Sequence, residues 1–291
     1  MIKHIDKNNK IFKTKEYEKD KLLFAIFEKK INLDNAFIMS DEENFAITNE
    51  SIERAPWIWT KEHFDIKALK DIEILIEKYL VKDRMTFTCK KELYDYLVKD
   101  GFDLIDKSDY FEMGFMKCSL LKETKKNDGM LSKIKREERE LLAQYIYEFD
   151  NFMDDSVKTA RPTTNEELKS YYLDKADKEI KSDKFYVLRN SNKKIVSIAH
   201  YDVSENKIAK VGLVYTPVEE RGKGYASKIV HDLTAILLEN GLIPVLYTDQ
   251  NYPNSNKAYA NSGYENGGVL VNFSCDRTLK LNNNKQSPRT Y

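Results

Sequence analysis

The chain has 291 residues, long for one hydrophobic core, and at 41% hydrophobic and 33% charged it has the make-up of an ordinary globular protein. Its 48 basic and 48 acidic residues cancel, and with 21 basic and 24 acidic residues in 1–120 neither half is basic, which argues against nucleic acid held by phosphate charge. Apolar runs such as Leu22–Phe27 are too short to span a bilayer, the opening residues form no apolar signal core, and three widely spaced cysteines (Cys89, Cys118, Cys275) suggest neither a disulfide framework nor a metal site, so a cytoplasmic protein with buried structural thiols is expected.

The first hundred residues carry no glycine, whereas seven of the ten glycines lie at Gly212 or beyond. Backbone that approaches a phosphate closely usually needs glycine, so the N-terminal part is a poor place for a coenzyme loop. It still reads as folded. "APWIWT" packs on its own core through Trp57 and Trp59; Leu69, Ile72, Leu75, Ile76 and Leu80 have helical spacing; "MTFTC" and "YFEMGFMKCSLL" read as strands. The charged stretch around Gly129 suggests a domain boundary, 1–127 against 128–291. Beyond it come a helix with Leu141, Leu142, Tyr145, Ile146, Phe149 and Phe152 on one face, a second helix over 164–180, a strand over 184–190 and a hairpin over 193–216. Ala226, Ile229, Val230, Leu233, Ile236 and Leu237 then mark an amphipathic helix closed by Asn240-Gly241, followed by the buried strand "IPVLYTD" and the helix "NKAYANSGYE". This order describes an α/β domain. "KELYDYLVKDGFDLIDKSDYFEMGFMKCS" echoes "NKAYANSGYENGGVLVNFSCD", a helix ending in Gly-aromatic and then a strand, which suggests a duplicated fold whose first copy lost its glycine turn.

"VGLVYTPVEERGKGYASKIV" sets a strand, a glycine-lined basic turn and a helix start in one line, an arrangement that suits phosphate. Neither the P-loop pattern nor G-x-G-x-x-G fits it. Arg221-Gly222-Lys223-Gly224-Tyr225-Ala226 does match R/Q-x-x-G-x-G/A, and "SNKAYANSGYE" comes later, after a helix and a strand. In these two motifs residues 130–275 resemble the GCN5-related N-acetyltransferase (GNAT) superfamily, in particular a bacterial group of two-domain acetyltransferases, with the first 125 residues similar only to a degenerate copy. The resemblance implies an α/β (α+β) fold of tandem domains, each a mixed central sheet flanked by helices, and an enzyme that moves an acetyl group from acetyl-CoA directly to a primary amine of a small molecule or peptide.

It also implies roles for residues. The backbone of Leu213, Val214 and Tyr215 lies along the pantetheine arm. Arg221, Gly222, Lys223, Gly224, Tyr225, Ala226 and Ser227 form the diphosphate site. Asn256 lies in the coenzyme loop, where Tyr252 takes the family's asparagine position. Tyr259 protonates the leaving thiolate. The strand "IAKVGLVYT" has no acid where the family's base commonly sits, so the base is open among His200, Asp202 and Asp249; alternation places His200 and Asp202 on one strand face. Asp150, Asp154 and Asp155 would attract a cationic acceptor or, alternatively, mark a solvated helix end. An amino acid, a polyamine, an amino sugar and a peptide N-terminus all stay open as acceptors. Two rival readings are an inert GNAT-fold binding module, which the missing strand acid favours, and an aminoacyl-tRNA-dependent transferase, which the intact turn and neutral charge oppose.

Overall fold

The computed structural model describes residues 1–34, 36–49, 55–79, 84–123, 127–152, 162, 164–204 and 206–279. The chain forms two compact units. The first holds Met1–Phe115 together with Asp249–Asn251 and the chain from Gly267; the second holds Met116–Thr248 and Tyr252–Asn266.

The first unit runs β1 (Lys3–Ile5), α1 (Lys15–Asp20), α2 (Ala25–Ile31), β2 (Phe37–Ser40), β3 (Phe45–Asn49), β4 (Trp57–Thr60), α3 (Ile66–Tyr79), β5 (Arg84–Lys90), α4 (Lys91–Lys99) and β6 (Ile105–Lys117). The strands β1 to β4 pair antiparallel in succession, and β4 pairs parallel with β5. Of the residues spaced as a helix, Leu69, Ile72, Leu75 and Ile76 lie on α3, buried against Phe45, Ile58, Phe87 and Leu97, while Leu80 lies outside the described residues. Trp57 and Trp59 are buried too, as expected.

The second unit runs β7 (Met130–Lys133), α5 (Arg139–Phe152), α6 (Asn165–Ser182), β8 (Phe185–Arg189), β9 (Ile195–Val203), β10 (Ile208–Tyr215), α7 (Tyr225–Glu239), β11 (Ile243–Asp249) and α8 (Pro253–Asn261), and then enters β12 (Glu265–Asp276), of which it holds only Glu265 and Asn266. It repeats the element order of the first. The pairing repeats as well, with β7 to β10 antiparallel in succession and β10 parallel to β11. Two cores cover the sheet. Leu142, Ile146, Tyr172 and Ala176 of α5 and α6 pack on Phe185, Val187 and Ile198, while Ile229, Val230, Leu233 and Leu237 of α7 pack on Val196, Ala199, Val211 and Leu246. Leu233 and Leu237 are fully buried, so truncating either to alanine costs about 2–5 kcal/mol. Helix α6 is N-capped by Thr164, whose hydroxyl accepts from the Glu167 N–H and donates to the Glu167 carboxylate.

Three sequence expectations differ from this arrangement. The compact units divide at Phe115 and Met116, not at 127 and 128. From Gly267 the strand β12 lies with the first unit, paired antiparallel to β5 from Leu270↔Lys90 to Asp276↔Arg84. Strand partners are chosen by register and burial, which chain proximity does not report. The charged stretch read as a domain boundary also contains β7, an edge strand of four residues, too short to show an alternating pattern. The three cysteines are free and buried, matching the structural role expected of them.

Candidate active site

The site grows from an irregularity in β10. Its antiparallel register with β9 is regular from Ala209↔Val203 to Gly212↔His200, then jumps to Tyr215↔Ile198, leaving Leu213 and Val214 in a bulge. Leu213 has φ 48°, a left-handed conformation that costs a branched side chain about 1–3 kcal/mol and is typical of functional sites. On the other edge of β10 the parallel ladder to β11 covers only Ile208↔Ile243 to Lys210↔Val245. Beyond Lys210 the two strands part, and the backbone of Val211–Tyr215 faces the gap.

After Tyr215 the chain makes one 3₁₀ turn at Val218–Glu220 and reaches Gly222 and Gly224, both left-handed at φ 78° and 81°. Gly224 is the N-cap of α7, and no side chain caps the helix. The first helical bond runs from the Lys228 N–H to the Gly224 carbonyl, so the N–H groups of Tyr225, Ala226 and Ser227 precede the ladder. A 15-residue helix thus presents uncapped donors and the positive end of its dipole. A Cβ at Gly222 would meet nothing within 4 Å, whereas one at Gly224 would touch the Asn127 amide nitrogen at 3.5 Å. The turn is open to an anion, and its fit to a diphosphate rests on these donors.

The side chains of the turn are less free than the motif suggests. Lys223 pairs with Glu220 at 2.8 Å, and Lys194 pairs with the same carboxylate at 2.7 Å. Arg221 donates its Nε to the Thr216 carbonyl at 3.1 Å. Tyr225 is buried, and its hydroxyl donates to Asp128 at 2.7 Å; its contribution to an anion site is its backbone N–H. Asp128 also accepts the Ser191 N–H at 2.9 Å, and these bonds, Ser191's first, hold its carboxyl down to about 2. Asn127 and Asp128 therefore brace the glycine turn from outside the motif. Nothing in local sequence links residues so far apart in the chain.

Tyr259 sits on α8, half-buried against the α7 core and edge-on to Tyr264 at 6.4 Å. Its hydroxyl has no hydrogen-bond partner among the described residues, and burial pushes the phenol up to about 12. Asn256 lies in the first half of the same helix, its N–H on the Tyr252 carbonyl at 3.2 Å.

His200 and Asp202 share one face of β9, as alternation requires. The His200 ring stacks on Phe185 with a 10° interplanar angle, and a Cβ on Gly212 would lie 3.1 Å from its Cε1. The imidazole therefore covers the residue at which the bulge begins, and glycine there gives it room. Its Nδ1 is buried without a hydrogen-bond partner among the described residues, and its Nε2 is 3.8 Å from Asp202, which also faces Lys210 at 3.9 Å. Glu179 of α6 interacts with the same pair; burial raises its pKa, the charge of Asp202 adds to the rise, and the charges of His200 and Lys175 oppose it.

Other expectations resolve differently. Asp249 falls within the first compact unit, and its carboxylate accepts the Asn251 N–H at 2.8 Å. Asp150 is not a solvated helix end: it is buried and accepts from Tyr172 at 3.1 Å and Lys175 at 2.8 Å. Asp154 and Asp155 lie outside the described residues. Among the described residues no group of three or more His, Cys, Asp or Glu side chains is placed to hold a metal ion, and no helix is long and apolar enough to cross a membrane.

A parted pair of parallel strands, a bulge and an uncapped glycine turn thus follow one another in the second unit. The sequence model of the acetyltransferase (GNAT) family matches residues 149–264, a span that contains the bulge, the glycine turn and Tyr259. The match covers less than half of the chain, so it is this segment that is similar to the GNAT acetyltransferase family. Solved structures agree at the level of fold. A GNAT-family acetyltransferase from Colwellia psychrerythraea aligns over 95% of this chain and 100% of its own, with a TM-score of 0.54 and 13% identity. GCN5-related N-acetyltransferases from Sphaerobacter thermophilus (TM-score 0.60, 12% identity, 87% of this chain and 85% of theirs) and Kribbella flavida (0.58, 12%, 90% and 96%) align similarly. No curated protein sequence matches the chain.

Proposed function

We propose that the protein is an acetyl-CoA-dependent N-acetyltransferase that moves an acetyl group directly to a primary amine of a small molecule or peptide. The second unit is the catalytic copy of the fold and the first a degenerate one. The observation that carries this reading is the coincidence of the β10 bulge, the end of the β10–β11 ladder and the uncapped left-handed turn at Gly222 and Gly224. Acetyl-CoA supplies the activated thioester. The N–H groups of Tyr225, Ala226 and Ser227 hold its diphosphate, and the open backbone of Leu213, Val214 and Tyr215 pairs with the pantetheine arm.

Two side chains then move protons. An alkylammonium with a pKa near 10.4 lies about three units from its neutral form at pH 7, a cost of about 4 kcal/mol. His200 takes that proton; Phe185 fixes its ring and the glycine at 212 lets it approach the bulge. Tyr259 gives a proton to the departing sulfur. With its phenol pushed up to about 12, it holds that proton throughout the neutral range, and no protein acceptor among the described residues competes for it.

The test is a thermal shift with acetyl-CoA followed by thiol release over a panel of amines. Stabilisation and release are expected. Neither appearing would turn the reading toward a non-catalytic binding module. For the base, His200→Gln should lower kcat/KM about 100-fold at neutral pH. The deficit should narrow as pH approaches the amine's own pKa, where neutral amine no longer needs a base; a pH-independent deficit would assign His200 a packing role.

A further inference from the structure

Phe152, the last residue of α5, and Tyr252, the N-cap of α8, bring their rings to 5.3 Å although they come from opposite ends of the family segment. They are 48% and 44% exposed, while Phe149, one helical turn before Phe152, packs into the α5 core. Arg221 completes the group, its guanidinium 5.3 Å from the Phe152 ring and 6.0 Å from that of Tyr215. The Nε bond to Thr216 fixes its orientation, and its terminal amino groups have no partner among the described residues. The Tyr252 hydroxyl has none either. These residues join the glycine turn, the end of β10 and the helix that carries Tyr259.

Core packing does not account for two large rings held together and half in water on separate elements, with a cation laid against one of them. Two half-exposed aromatic faces, tilted 44° to each other and edged by a guanidinium, offer a planar ring a face to stack on and a nearby cation to gain from. We infer that Phe152 and Tyr252, edged by Arg221, form a stacking site for a planar ring of a bound ligand. Within the acetyltransferase reading on which this rests, the ring is either the adenine of the coenzyme or an aromatic group on the acceptor amine.

The test compares ligands that differ by one ring in the wild type, Phe152→Leu, Tyr252→Leu and Phe152→Tyr. Calorimetry gives the affinity ratio of acetyl-CoA to acetyl-4′-phosphopantetheine, and steady-state kinetics give the KM ratio of phenethylamine to butylamine. The leucine variants keep apolar bulk at exposed positions and should lower the preference for one ring-bearing ligand about 3- to 10-fold, leaving its ring-free partner unchanged, while Phe152→Tyr keeps the preference. Movement of the coenzyme ratio assigns the site to adenine, and movement of the amine ratio assigns it to the acceptor. Both ratios within twofold of wild type in both leucine variants would overturn the inference while acetyl-CoA binding stands. A wild-type chain that does not bind acetyl-CoA would overturn the coenzyme reading and this inference with it.

Discussion

The two units carry the same elements in the same order, and they differ most where the fourth strand hands over to the next helix. In the first unit β4 pairs with β5 through Trp57↔Thr88 and Ile58↔Cys89, and Lys90 ties the two strands together beyond that ladder. Its ammonium donates to the Thr60 carbonyl at 2.8 Å, pairs with Asp20 and lies 5.7 Å from the Trp59 ring centre. Asp20 also accepts from the Trp59 indole at 2.9 Å. The next helix, α3, is capped by its own sequence: Asp65 accepts the Ala68 N–H at 2.7 Å. In the second unit the corresponding helix, α7, starts on a left-handed glycine without a cap, and the corresponding strands part. One copy supplies its own carboxylate to the helix N-terminus and the other leaves its first N–H groups uncapped. A shared element order thus yields either a capped or an uncapped helix start, decided by a few residues at one corner.

The strongest way to break the comparison is to give the second unit what the first has. Gly224→Glu places a carboxylate beside the uncapped donors and forces a side chain into a backbone at φ 81°. Acetyl-CoA affinity should fall at least about 100-fold in calorimetry, with the fold retained by circular dichroism, because strain and like-charge repulsion each cost on the order of 1–3 kcal/mol. Unchanged affinity would place the coenzyme elsewhere.

Tyr259→Phe keeps the ring and removes the proton donor. Where chemistry limits the rate, kcat should fall about 10²- to 10⁴-fold, with acetyl-CoA affinity little changed. A variant within about twofold of wild type would leave Tyr259 as packing alone.

Asp65→Ala removes the cap that distinguishes the first unit. Unfolding in urea should show a loss of about 1 kcal/mol. The stoichiometry should stay at one acetyl-CoA per chain, since Lys90 still closes the strands. Two per chain, in wild type or variant, would show that the first unit keeps a working site.

The smallest effect concerns the brace on the glycine turn. The Asp128 carboxyl titrates at about 2 in the folded chain, below the value near 3.9 expected when unfolded, so its contribution to stability is present above about pH 4 and is lost as pH falls toward 2. Asp128→Asn should lower the urea midpoint slightly at neutral pH, and the two curves should converge across that acid window. A difference that persists below it would mean that charge is not what Asp128 contributes.

Much of this site was written in local sequence. The strand, the glycine turn, the amphipathic face of α7 and the "NKAYANSGY" helix are each set within about 15 residues, because periodicity, left-handed glycine and uncapped donors are properties of contiguous chain. From them the α/β class, the phosphate-suited turn and the position of Tyr259 could be read directly. Tertiary structure alone decided the rest. It put His200 over Gly212 through a strand register, tied Asp128 to Tyr225 across nearly a hundred positions of chain, buried Asp150, and gave the end of β12 to the first unit. Each of these depends on which strand pairs with which and in what register, and the free energy that selects a partner comes from burial over the whole unit, to which no single segment holds the key.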